Sequence, residues 1–147
     1  MVVYRFGQWR YTVTFIPLRR ILSLFYKVAF KFVEILTGIS LPCEVVLGQN
    51  VRIDHFGGII ISGYARIGDG CVIRQGVTIG LKNTEDPCAP TIGNNVDIGA
   101  GAKILGRITI GDDVKIGSNA VVLEDILSHS VAVGVPARVV RSIRASS

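Results

Sequence analysis

The stretch TIGNNVDIGAGAKILGRITIGDDVKIGSNAVV, residues 91–122, repeats one simple pattern every six residues. An aliphatic residue recurs at this spacing, and the members are Ile92, Ile98, Ile104, Ile110, Ile116 and Val122. Small or β-branched residues dominate two positions earlier, as at Val96, Ala102 and Val114. A sustained period of this kind is typical of a solenoid in which each hexad forms one short strand and one turn.

The same period extends towards the N-terminus from residue 79. Its further members are Leu41, Leu47, Ile53, Ile61, Ile67, Ile73 and Ile79. Three hexads close a triangular coil of about eighteen residues, so roughly four to five coils fit between Leu41 and Val122. The sequence therefore predicts an all-β solenoid, a parallel β-helix whose aliphatic residues point inward and stack from coil to coil.

Two segments interrupt the period. Residues 54–60 contain two extra residues, among them His55, and residues 80–91 contain the longer excursion LKNTEDPCAP. Insertions in a solenoid collect on one face, which is often the binding face. We interpret Cys88 in the second excursion as a loop cysteine, and His129 beyond the last hexad as a turn histidine.

Residues 1–38 differ from the rest in composition. They carry six basic residues and one acidic residue, whereas residues 39–147 hold ten of each. Polar residues recur every three or four positions between Ile21 and Leu36, which predicts a helix with a narrow polar stripe, and an earlier helix ends before Pro17. We therefore divide the chain into a helical segment, 1–38, and a β-helix domain with a C-terminal tail, 39–147.

Composition and charge narrow the function classes. With 49% hydrophobic and 18% charged residues in 147, the chain predicts one folded domain. Three cysteines without a CxxC pair favour a reducing, cytoplasmic setting, and two histidines predict no metal site. Charges interrupt the N-terminal apolar runs, which disfavours a secretory signal and a spanning helix. Nucleic-acid binding is disfavoured because the basic residues alternate with bulky apolar ones.

Three further segments carry a family resemblance. DHFGG at 54–58, QGVTIG at 75–80 and VGVPAR at 133–138, together with the hexads, resemble the left-handed β-helix acyltransferases of the hexapeptide-repeat type. The likeness is greatest to the serine acetyltransferase branch, including its short relatives in exopolysaccharide clusters such as the colanic acid acetyltransferases. This resemblance implies a left-handed coil, acetyl-CoA as the acetyl donor and a homotrimer.

The resemblance also assigns site residues. It maps the catalytic histidine onto His55, with Asp54 beside it as a contact for the acceptor. A base is needed because a free hydroxyl is a weak nucleophile at neutral pH. The positions that match the family's coenzyme A contacts are Gly80, Ala100, Lys115, Ser118 and Arg138.

Two departures from the serine acetyltransferase pattern bear on the acceptor. Ser40 replaces a carboxylate, with Glu44 the only acidic residue close to it in sequence, and Ala89 replaces a second histidine; the large helical domain of those enzymes is also absent. We therefore expect acetyl-CoA-dependent O-acetylation of a sugar hydroxyl in exopolysaccharide or capsule biosynthesis. The alternatives are a serine O-acetyltransferase of cysteine biosynthesis and a non-catalytic hexapeptide scaffold. We expect residues 1–38 either to contact the inner face of the membrane or to cap the solenoid and pack in the trimer.

Overall fold

A computed structural model of the chain describes residues 2–83, 85 and 87–142. Helix α1 spans Val2–Trp9 and continues into a short 3₁₀ helix, Arg10–Thr12. Helix α2 spans Ile16–Thr37. It begins earlier than the predicted Ile21 because Pro17 lies in its first turn, where a missing amide hydrogen costs no helical hydrogen bond.

Helix α2 ends at Gly38. This residue has a φ of +64°, and its amide donates to the carbonyl of Glu34 at 2.8 Å. A left-handed residue after the last turn is a common helix stop, and glycine adopts it without a steric penalty from Cβ. The chain then enters the first strand immediately, at Ile39.

Fifteen short strands follow along the described residues. They are β1 Ile39–Ser40, β2 Val46–Leu47, β3 Arg52–Asp54, β4 Ile59–Ile61, β5 Arg66–Ile67, β6 Val72–Arg74, β7 Thr78–Gly80, β8 Thr91–Ile92, β9 Asp97–Ile98, β10 Lys103–Leu105, β11 Thr109–Ile110, β12 Lys115–Ile116, β13 Val121–Val122, β14 Ser130–Gly134 and β15 Ala137–Ser142.

These strands form three sheets along the sides of the solenoid. The five-stranded sheet has the order β1-β4-β7-β10-β13, the four-stranded sheet β11-β8-β5-β2, and the six-stranded sheet β15-β14-β12-β9-β6-β3. Pairing is parallel except between β14 and β15, which form an antiparallel hairpin. The predicted fold class is confirmed: the chain winds as a left-handed parallel β-helix of about five turns behind a helical segment.

The aliphatic hexad residues form the core. Ile73, Ile79, Ile98 and Ile104 are fully buried, and Ile79 pairs in register with Ile104 one turn along. Leu47 and Ile53 are only half-buried, although their hexad positions predict that they point into the core. The difference arises because the first turn is covered by the helical segment and not by another coil.

Among the described residues, the structure contains no helix with the length and apolar content needed to cross a membrane.

Candidate active site

His55 lies at a corner of the solenoid, between β3 and β4. Its backbone has a φ of +66°, and Gly57 and Gly58 follow at +109° and +66°. A non-glycine residue seldom adopts this left-handed conformation, and such strained positions concentrate at functional sites. The two extra residues of this corner place the His55 side chain outside the stacked core, where it is exposed.

The His55 corner recurs in the following turns. Amide-to-carbonyl hydrogen bonds connect it from turn to turn, joining Gly76 to Gly57 (2.9 Å), Gly101 to Gln75 (2.9 Å) and Asn119 to Ala100 (2.8 Å). Ala100 and Ser118, two of the residues predicted to contact coenzyme A, consequently lie along the same corner as His55. We call this line of turns the histidine corner.

A largely apolar cavity of about 540 Å³ opens beside His55, between the helical segment and the first turn. Its hydrophobic wall consists of Val3, Tyr4, Phe30, Val33, Ile39, Leu41, Val51, Ile53 and Phe56. Thr37, Arg52 and His55 also line it. A polar ligand in this cavity would therefore be recognised mainly through these three side chains.

Asp54 is held by a neighbouring arginine on the same strand. The Nε atom of Arg52 lies 2.7 Å from one carboxylate oxygen of Asp54, and Nη2 donates to the other at 3.1 Å. Residues two apart on an extended strand point to the same side, as Arg52 and Asp54 do on β3. Within the described residues, the Asp54 carboxylate accordingly pairs with Arg52 and not with the His55 imidazole.

A second carboxylate reaches the first turn from helix α2. Glu34 accepts a hydrogen bond from Nζ of Lys31 at 2.8 Å. Hydrogen bonds from Lys31 and then Ser40 hold the pKa of Glu34 below its ordinary value. Glu44, the carboxylate that sequence reasoning considered, instead accepts from the Tyr11 hydroxyl at 3.0 Å.

Sequence reasoning missed Glu34. Its approach to Ser40 depends on where helix α2 stops and how the chain folds back at Gly38. A built Cβ on Gly38 would lie 3.0 Å from Cα of Gly57, so the end of the helix packs closely on the histidine corner. Only a sequence-level estimate of the helix stop could have pointed to this residue.

The remaining predicted coenzyme A residues lie on other parts of the solenoid. Gly80 is buried at the far end of β7, where its carbonyl accepts from the amide of Gly106 at 2.9 Å. Lys115 lies exposed on the six-stranded sheet. Arg138 lies on the terminal hairpin, with Nη1 at 3.4 Å from Glu124 Oε2. In one chain, the structure therefore brings only Ala100 and Ser118 to the histidine corner.

The other candidate residues have structural explanations. His129 has a φ of +57° and belongs to a column of left-handed turn residues that also contains Asn50, Asn95 and Asp113. Cys71 is buried in the core, and burial raises the pKa of its thiol. Nη2 of Arg107 donates to the half-buried Cys88 at 2.8 Å. Among the described residues, no group of three or more His, Cys, Asp or Glu side chains is placed to hold a metal ion.

Comparisons with known proteins identify the class to which this three-sided hexapeptide solenoid belongs, that of the bacterial hexapeptide transferases. The family profile "Bacterial transferase hexapeptide (six repeats)" matches residues 89–124. A serine acetyltransferase of Synechococcus elongatus is 40% identical over 141 residues, covering 95% of this chain and 55% of the relative. A serine acetyltransferase of Helicobacter pylori is 43% identical over 115 residues, covering 78% of this chain and 67% of the relative.

Solved structures give the same result. A crystal structure of serine acetyltransferase from Brucella abortus superposes with a TM-score of 0.83 at 28% identity, covering 96% of this chain and 55% of that one. The soybean apoenzyme has a TM-score of 0.79 at 31% identity, with 94% and 55% covered. The chain therefore belongs to the hexapeptide-repeat acyltransferase family that includes the serine acetyltransferases. It spans about half the length of the first curated relatives it matches.

These relatives correct the expected acceptor. The expectation of sugar O-acetylation in exopolysaccharide or capsule biosynthesis is wrong, because relatives about 40% identical over most of the chain are named serine acetyltransferase. The 141-residue match to a relative named serine acetyltransferase spans nearly the whole chain. The helical segment therefore does not distinguish this chain as a polysaccharide acetyltransferase. The expectation gave too much weight to single replacements at Ser40 and Ala89. The scaffold alternative also loses support, because the relatives are named as enzymes.

Proposed function

We propose that this protein is an acetyl-CoA-dependent serine O-acetyltransferase. The observation that carries the proposal is the 40% identity over 95% of the chain to a relative named serine acetyltransferase. The exposed, strained His55 at the histidine corner supports it, since acetyl transfer to a hydroxyl needs a base on an accessible surface.

His55 acts as the general base in this proposal. An imidazole nitrogen takes the proton from the serine hydroxyl, which raises the nucleophilicity of the oxygen. Histidine is the side chain that enzymes most often use as a general base. The exposed position of the side chain allows a small acceptor to approach it from solvent.

Charged groups around His55 fit the two ends of free serine. The carboxylates of Asp54 and Glu34 offer partners for the ammonium group, and the guanidinium of Arg52 offers one for the carboxylate. Glu34 lies at Ser40, the position where the family pattern has a carboxylate. Helix α2 thus supplies, from another part of the chain, the charge that the first strand lacks.

Acetyl-CoA supplies an acetyl group activated as a thioester. The residues of the histidine corner fit an extended arm of such a donor, because Ala100 and Ser118 have small side chains. Lys115 and Arg138 offer exposed cations for phosphate groups. A Brucella abortus serine acetyltransferase of the same fold has been crystallised in complex with coenzyme A, which supports this donor.

A direct assay tests the proposal. The protein is incubated with acetyl-CoA and a thiol-trapping reagent, with L-serine or with L-alanine, which lacks the hydroxyl. We expect thiol release that depends on L-serine, together with O-acetylserine detected by mass spectrometry. Equal release with the two amino acids, or no release with either, would show the proposal to be wrong.

A further inference from the structure

Helix α2 presents a wide apolar face that its own chain leaves uncovered. Its members are Ile21, Leu24, Phe25, Val28, Phe32 and Ile35, each between 62% and 72% exposed. The opposite side of the helix packs on the solenoid through the buried Tyr26 and the half-buried Phe30. A contiguous exposed patch of this kind normally marks a site of interaction with another surface.

Three cations border this apolar face on one side. At 100° per residue, Arg20, Lys27 and Lys31 lie along one row of helix α2, between the apolar face and the edge that carries Glu34. All three are exposed, and Lys31 also donates to Glu34. We call these residues the cationic row. A helix with an apolar face flanked by cations has the pattern of one that lies in a membrane interface.

Aromatic side chains extend the apolar face onto helix α1. Phe6 contacts Phe25 edge to face at 5.7 Å between ring centroids, and it contacts Trp9 at 5.9 Å. Trp9 is 53% exposed at this end of the face. Indole rings are enriched at the boundary between lipid headgroups and acyl chains, where one part of the ring is apolar and the other meets water.

The sign of the charge distinguishes between possible partners. Residues 1–38 contain six basic residues and only Glu34 as an acid. Arg10 is buried, with its guanidinium 4.6 Å from the Tyr11 ring centroid and 4.3 Å from that of Tyr26, so it serves the fold. The other five are exposed. If a second copy of the chain covered this face, the cations of the two copies would repel each other, since Glu34 is the single acid of each segment. An anionic surface, in contrast, would complement the positive charge.

We infer that the apolar face and the cationic row of helix α2 bind the surface of an anionic lipid bilayer. The apolar side chains enter the boundary between headgroups and acyl chains, and the cationic row meets anionic headgroups. Helix α2 then lies parallel to the membrane plane. Since Gly38 packs on Gly57, His55 is held at the membrane-proximal end of the solenoid.

Vesicle sedimentation and fluorescence of the full chain test this inference. The vesicles contain phosphatidylcholine alone or phosphatidylcholine with a quarter of phosphatidylglycerol. We expect binding to the anionic vesicles that weakens as salt is raised. Trp9 is the one tryptophan of the chain, so a blue shift of its emission on binding reports entry of this face into the bilayer. Absence of both signals at low salt would overturn the inference.

Paired substitutions identify the surface. Arg20→Gln with Lys27→Gln should lower partitioning onto anionic vesicles roughly 30-fold, since each cation near the surface contributes separately. Arg66→Gln with Lys82→Gln removes two exposed cations of the solenoid and should leave partitioning unchanged. Val28→Gln with Phe32→Gln should abolish binding, with the circular dichroism spectrum retained.

Equal losses from both charge pairs would overturn the inference. A second result would also overturn it: the wild type does not bind vesicles, and Val28→Gln with Phe32→Gln dissociates it into smaller species. In that case a second copy of the chain covers the apolar face.

Discussion

Two histidines of this chain share a left-handed backbone for different reasons. His129 occupies a column position where each turn of the solenoid needs a left-handed residue, and its Nδ1 lies 3.5 Å from Asp113 Oδ2. At the histidine corner, the equivalent column of left-handed residues is formed by Gly58, Gly76 and Gly101, and His55 is not part of it. Turn geometry explains His129, whereas the strain at His55 serves no repeat of the fold.

This contrast provides a matched test of the general base. Asparagine tolerates the left-handed region but cannot accept a proton at neutral pH, so His55→Asn preserves the corner and removes the base. We expect serine-dependent thiol release to fall on the order of 10²–10⁴-fold. His129→Asn makes the same change at the other histidine and should stay near the wild-type rate. Equal rates for wild type and His55→Asn, measured with unchanged melting temperatures, would contradict the assignment.

Sequence reasoning identified single residues where a local signal existed. His55 stood out because the hexad period gains two residues around it. Glu34 carried no such signal, since its place beside Ser40 depends on the length of a helix and the turn after it. The roles of all the predicted site residues remain predictions, namely those of Asp54, His55, Gly80, Ala100, Lys115, Ser118 and Arg138.

At the level of elements, two tyrosines fasten the helices to the first turn of the solenoid. The Tyr4 hydroxyl donates to the carbonyl of Val45 at 2.8 Å, and the amide of Cys43 donates to the Tyr26 hydroxyl at 3.0 Å. The guanidinium of Arg10 lies over the Tyr26 ring. Burial is the main reason that the pKa values of both tyrosines are raised.

These raised pKa values predict that the helical segment loosens in alkali. An unfolded tyrosine loses its proton near pH 10, whereas the two buried phenols keep theirs to higher pH. Their contribution to stability is therefore fully present below pH of about 10 and is lost as pH rises through the folded-state pKa values. We expect the free energy of unfolding, measured by denaturant titration, to fall above that pH.

A tyrosine variant isolates this effect. Tyr4→Phe with Tyr26→Phe removes both titrating groups, so the free energy of unfolding of this variant should change less above pH of about 10 than that of the wild type. At neutral pH the variant should be less stable by about 1 kcal/mol for each hydrogen bond lost. Parallel pH profiles for the two proteins would contradict the prediction.

The sequence predicted the individual strands of the periodic part of the chain. For the helical segment it predicted two helices but not where the second one begins. Each predicted hexad from residue 59 to residue 122 has its strand, because the period places one inward residue per side. The half-burial of Leu47 and Ile53 was not foreseen, since it depends on how the helices cover the open end. The division of the chain near Gly38 into two folding units remains a prediction.

For the whole molecule, the terminal hairpin is a second surface that needs a partner. Strand β15 is the edge of the six-stranded sheet, and Val139 and Val140 on it are 53% and 62% exposed. Strand β14 adds the exposed Val133. An exposed apolar edge strand invites pairing or packing with another chain, and soluble proteins usually cover it. A cyclic arrangement of copies would cover this edge in every protomer.

We therefore predict a homotrimer in which each groove between neighbouring β-helices unites residues that one chain keeps apart. In one chain Ala100 and Ser118 lie at the histidine corner, whereas Arg138 lies on the terminal hairpin, so a second copy is needed to bring Arg138 beside this corner. Light scattering should give three times the 15.8 kDa of the chain.

Val139→Asp should dissociate the trimer and abolish thiol release together, because a charge in the interface is costly to bury. Val46→Asp makes the same change on the four-stranded sheet, where the side chain is 49% exposed, and should leave both mass and activity unchanged. A wild-type protein that is fully active as a stable monomer would contradict this assembly.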